Sequence, residues 1–143
     1  MNPAGLLFKL YRDHFGTLPV AVSGDSPQPP PKYPPGGEEP IVNAGSDTYP
    51  LDVAAALSSD RKTLTVAMVN PTESGQQLEL AIQGIVPGGG ARWWRMAPSD
   101  LNATILVVGQ QAQVRVEEQV LESVPKSLAL APFSVNLYEF PLR

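Results

Sequence analysis

The 143 residues include no cysteine. That excludes a disulfide framework, a cysteine nucleophile and a thiolate metal site. It does not fix the compartment, because secreted and cytoplasmic chains can both lack cysteine. Histidine occurs once, at His14. A single imidazole with no carboxylate at helical spacing on its face does not make a metal site. Basic residues are few: ten Lys and Arg against fourteen Asp and Glu, a formal charge of −4. With no basic run, neither a nucleic-acid surface nor an anionic membrane surface is expected. No apolar run approaches the ~20 residues of a membrane span. The opening MNPAGLLFKLYRDHFG carries charges within its apolar stretch and does not read as a signal peptide. No glycine-rich phosphate loop is present either. Gly88-Gly89-Gly90 lacks the Lys and helix such a loop requires. No cofactor is expected.

What is present falls into three parts. Residues 1–16 read as a helix, Asn2–Gly16, with Asn2 as N-cap and Pro3 at the first helical position. Gly16 is placed to end it in a left-handed conformation. Leu7, Leu10, Tyr11, His14 and Phe15 form an apolar stripe at i, i+3, i+4, i+7, i+8 spacing, widened by Leu6 and Phe8. A helix of about three turns is marginal alone in water, so this one is expected to dock on the rest of the protein or on a second copy. Residues 17–46 read as a connector. Thr17–Ser23 has the alternation of a short strand. Gly24–Pro40 then carries Pro27, Pro29, Pro30, Pro31, Pro34, Pro35 and Pro40, an extended spacer or arm.

Residues 47–143 read as all-β. Leu51, Val53, Ala55 and Leu57 alternate. Thr63–Pro71, TLTVAMVNP, puts Leu64, Val66 and Met68 on one face and Thr63, Thr65, Ala67 and Val69 on the other, which suits a central strand. Pro71 ends it, Thr72–Gly75 reads as a turn, and Leu78, Leu80 and Ile82 are expected to return as the second arm of a hairpin. Ala91–Met96, Ile105–Val108, Val114–Glu117 and Leu128–Leu130 follow. Phe133–Phe140, FSVNLYEF, closes the chain. It is expected near the middle of a sheet, with Val135 and Leu137 in the core. Seven or eight short strands with regular breaks predict an antiparallel β-sandwich.

Taken together, NPAGLLFKLYRDHFG, LDVAAALSSDRKTLTVAMVNPTESGQQLELAIQG and LALAPFSVNLYEF resemble the C-terminal end of a glycoside hydrolase family 51 α-L-arabinofuranosidase. In that family a catalytic barrel precedes a β-sandwich. The first segment resembles the last barrel helix, and the others resemble the start and the closing strand of the sandwich. The Pro-rich arm departs from the pattern, so a related barrel-plus-sandwich xylanase or glucanase stays open. The resemblance implies a non-catalytic accessory domain that packs on and stabilises the barrel. Leu7, Leu10, Tyr11, His14 and Phe15 would be the barrel-interface candidates, and arabinan or hemicellulose degradation the setting. It also implies that the retaining pair of glutamates belongs to the barrel, so no catalytic residue carries over.

The residues agree on that last point. Glu38-Glu39 lies in the Pro-rich arm, and Glu117-Glu118 are neighbours that point to opposite faces of a strand. Neither forms the convergent pair, about 5–5.5 Å apart, of a retaining hydrolase. Trp93 and Trp94, flanked by Arg92 and Arg95, are the candidates for sugar stacking. An alternative reading is therefore a carbohydrate-binding module that uses one of them on a polysaccharide or oligosaccharide. The competing structural reading puts one indole in the sandwich core and the other against the helix or barrel. Asn102-Ala103-Thr104 is a glycosylation sequon.

Overall fold

The structure is a computed structural model that describes residues 3–26, 47–98 and 114–143. The prolines from Pro27 to Pro40, Glu38-Glu39, Ile105–Val108, the sequon at Asn102 and the Asn2 cap lie outside the described residues. Among the described residues one helix, α1 (Pro3–His14), precedes eight strands: β1 (Leu18–Val20), β2 (Asp52–Leu57), β3 (Thr63–Asn70), β4 (Gln76–Glu79), β5 (Ala91–Pro98), β6 (Val114–Leu121), β7 (Ser127–Leu130) and β8 (Ser134–Pro141). All pairings are antiparallel. Six strands form one sheet in the order β1-β2-β3-β8-β5-β6, and β4 pairs with β7 in a second, two-stranded sheet. The strand β1 lies within the stretch read as connector and forms one edge of the large sheet.

The two most apolar strands occupy the centre. Val66 lies opposite Tyr138 and Ala67 opposite Leu137, while Trp93 and Trp94 of β5 flank the same two β8 residues from the other side. Alternation assigns the faces. On the inner face, Leu64, Val66, Met68, Tyr138 and Phe140 pack with Leu128 and Leu130 of the small sheet. On the outer face, Leu137 and Trp94 pack with Leu10 of the helix. Val135 and Leu137 are buried, as expected for a strand covered on both sides.

Three expectations need correction. First, β3 and the Leu78 segment do not form a hairpin. The turn after Pro71 carries the chain from one sheet to the other, and β4 pairs with β7. The physical reason is Asn70, fully buried at the end of β3. Its Nδ2 donates to the carbonyls of Ser74 and Ala131, both at 2.9 Å, and its Oδ1 accepts from the Thr72 backbone N–H and hydroxyl. These bonds tie the turn to the distant β7–β8 connection. Second, β8 starts at Ser134. Phe133 has φ +48°, sits in the preceding turn and is 41% exposed, so it does not share the face of Val135 and Leu137. Third, Gly16 does not take the left-handed conformation. It is glycine because the chain passes tightly over β2, where a Cβ would lie 2.5 Å from the Leu57 carbonyl oxygen.

Candidate functional site

The helix and the outer sheet face form the part of the molecule where polar, aromatic and charged groups converge. The helix docks where its stripe meets the central strands. Leu10 is buried against Trp94 and Leu137, with Phe15 and Val116 packed around them. Leu7, Tyr11, His14 and Phe15 are each partly exposed. Phe8, expected to widen the stripe, projects away and is 78% exposed. The last turn is anchored by Thr65, whose buried hydroxyl donates to the His14 carbonyl at 3.0 Å. That bond satisfies one of the carbonyls a helix end leaves unpaired. Thr65 gives no hint of this role in the sequence, because its partner is 51 residues away.

The His14 ring stacks on Trp94 with centroids 3.9 Å apart, and its Nδ1 is 3.7 Å from the Glu139 carboxylate. Trp94 is 3% exposed beneath the helix, with the Arg92 guanidinium 4.9 Å from its ring centroid. Trp93 points to the opposite face. It stacks on Tyr138 at 5.6 Å, donates its Nε1–H to Asn136 Oδ1 at 3.2 Å, and lies under Arg95. Burial pushes the Tyr138 hydroxyl up to about 12. One indole thus sits on the sandwich-core side and the other under the helix.

The β6 glutamates are engaged by cations. Glu117 pairs with Arg95 at 2.5 Å and Glu118 with Arg92 at 2.6 Å, on opposite faces of β6. The hydrogen bond from Arg92 holds the Glu118 carboxyl below its usual range. On the solvent side of the helix, Lys9 and Arg12 both bond Asp13, which lowers its carboxyl to about 2. Among the described residues no group of three or more His, Asp or Glu is placed to hold a metal ion. No helix among them is long and apolar enough to cross a membrane.

No protein-family model and no curated protein matches the chain. Solved structures do match. An arabinofuranosidase crystal structure superposes with a TM-score of 0.72 at 21% identity, over 98% of this chain and 29% of that one. The α-L-arabinofuranosidase from Thermotoga maritima, solved with arabinose, superposes with a TM-score of 0.72 at 20% identity, over 99% and 29%. A β-porphyranase of glycoside hydrolase family 86 from Bacteroides plebeius gives 0.64 at 14% identity, over 100% of this chain and 19% of that one. The fold is therefore one that arabinofuranosidases contain. The chain spans under a third of the length of the enzymes it matches.

Proposed function

We propose that this chain is the accessory β-sandwich of a glycoside hydrolase of the α-L-arabinofuranosidase type, non-catalytic in itself, and that it packs on and stabilises the catalytic barrel. The observation that carries the reading is the match over 98–99% of the chain, helix included, to enzymes of which it makes up only 29%. In this reading residues 1–16 form the last helix of the barrel, 17–46 the connector and 47–143 the sandwich. The helix is amphipathic on two sides. Its Leu10–His14 side is held by Trp94, Leu137 and Thr65. Its opposite side presents the exposed Phe8, while the half-buried Leu6 and Leu7 lie one turn from Leu10 and flank the docked side. Phe8, a large aromatic exposed on the far side of a helix already anchored to one layer, fits a second packed layer.

A non-catalytic role is supported by the carboxylates. Glu117 and Glu118 face opposite ways, each paired with an arginine, and Glu139 faces a histidine. Glu117 is on the opposite face from Glu118 and Glu139, and those two are held by the Arg92 and His14 side chains between them. The test is to incubate the purified chain with aryl α-L-arabinofuranosides and aryl β-xylosides. No release above buffer is expected. Turnover that disappears on Glu117→Gln, Glu118→Gln, Glu139→Gln, Asp47→Asn or Asp52→Asn would overturn the reading.

A further inference from the structure

The helix covers only part of the outer sheet face. Past Tyr11, strands β2 and β3 floor a cleft of about 580 Å³, with Ala54 exposed and Ala67 buried at its base. Its floor is Ala54, Ala67 and Val69. Tyr11 forms the wall on the helix side, and Asp47 and Asp52 stand at the rim. This volume lies within the range of small-molecule sites. Alanines at Ala54 and Ala67 keep the floor flat and apolar beside Val69, while Thr65 of β3 on the same face lies under the helix.

We infer that this cleft is a binding site for a neutral saccharide unit, seated on the alanine floor against the Tyr11 ring, with its hydroxyls held by Asp52 and Asp47. The chemistry follows from the lining. A sugar ring has an apolar C–H face and a polar rim of hydroxyls. It needs a flat apolar surface with an aromatic ring on one side and charge-assisted acceptors on the other. Ionised carboxylates only accept hydrogen bonds, which suits sugar hydroxyls, and the Tyr11 phenol can both donate and accept. Tyr11 and Asp52 are close enough to feel each other: burial, and then the Asp52 charge, push the phenol's ionisation upward, so it remains a donor at neutral pH. A metal ion is a poor fit, because no third His, Asp or Glu joins the two carboxylates among the described residues. The choice of a saccharide as the hydroxylated ligand rests on the glycoside hydrolase reading above. The site is separate from Trp93 and Trp94, neither of which lines the cleft.

The experiment is a titration of the ¹⁵N,¹³C-labelled chain with L-arabinose, arabino-oligosaccharides and xylo-oligosaccharides, followed by NMR. Saturable shifts are expected at Tyr11, Asp52, Ala54, Ala67 and Val69. Asp52→Asn should weaken binding about tenfold, the contribution of one charge-assisted hydrogen bond, and Tyr11→Phe should weaken it less. Both changes keep the side-chain shape, and a urea melt checks that each variant folds. No saturable shift with any of the sugars overturns the inference. So does binding that Asp52→Asn leaves unchanged, or a cleft that responds only to a Lys- and Arg-containing peptide. Failure here leaves the accessory-domain reading intact if the chain still stabilises a barrel. Sugar binding by a chain that stabilises no barrel would do the reverse.

Discussion

Replacing Leu137 by alanine removes about three methylene equivalents from a side chain that is 0% exposed. At roughly 0.8 kcal/mol per methylene the transfer loss is about 2.4 kcal/mol. A cavity term adds to this, because Leu137 is walled on both sides by paired strands: Ala67 of β3 on one and Trp94 of β5 on the other. Those walls cannot close without breaking the ladder. The lid is Leu10 of the helix, which can settle inward a little. The sum is about 3–4 kcal/mol, inside the 2–5 kcal/mol seen for buried Leu→Ala changes. For a domain stabilised by about 5–15 kcal/mol, that is a large share. Urea unfolding followed by Trp fluorescence measures it, with the denaturant slope unchanged if only stability is altered. Phe8→Ala is the internal control, since a side chain 78% exposed should cost less than about 0.5 kcal/mol. A Leu137→Ala cost below about 1 kcal/mol would show that β8 is peripheral and that the central strand order is wrong.

Other outcomes follow from the same structure. A chain starting at Thr17 should still fold, because the inner core does not use the helix. It should melt several degrees lower and show red-shifted Trp emission as Trp94 becomes wet; an unchanged Tm and spectrum would refute the docking. Asn70→Ala should cost about 2–4 kcal/mol in urea, since it strands buried carbonyls at the crossing between sheets; a cost under 1 kcal/mol would refute that role. Alkaline stability should fall between pH 10 and about pH 12. In that window the Tyr138 phenol ionises in the unfolded chain but stays protonated in the folded one, so the folded state binds more protons and loses stability as pH rises. Absorbance titration of the tyrosines checks this, and a Tyr138→Phe variant should flatten the slope; an equal slope in the variant contradicts it.

The parts of this fold that were legible in the sequence are those fixed by local alternation. TLTVAMVN and the SVNLYEF part of the closing strand are apolar on both faces, and both are central. The stripe of α1 announced docking, and Leu10 supplies it. The adjacency of Trp93 and Trp94 implied opposite faces, which is how they lie. The unreadable parts depend on partners far away in the chain. The turn after Pro71 looks like a hairpin turn until Asn70 is seen bonding to Ala131, 61 residues on. Gly16 looked like a helix cap, but its reason is the Leu57 carbonyl. The cleft was not legible either. Tyr11, Asp47, Asp52, Ala54 and Ala67 converge through strand register and helix placement, and no spacing in the sequence joins them.

The central claim is that this chain is a stabilising layer for a glycoside hydrolase barrel, docked through α1. The measurement that meets it most directly is the Tm of the barrel encoded with this chain, taken alone, with the chain added, and with a Phe8→Glu variant added. The account predicts that the chain raises the barrel's Tm by several degrees and that Phe8→Glu, which places a charge where an aromatic ring should be buried, abolishes the rise. A barrel indifferent to the chain, a rise that Phe8→Glu leaves untouched, or no barrel encoded with the chain at all would contradict it.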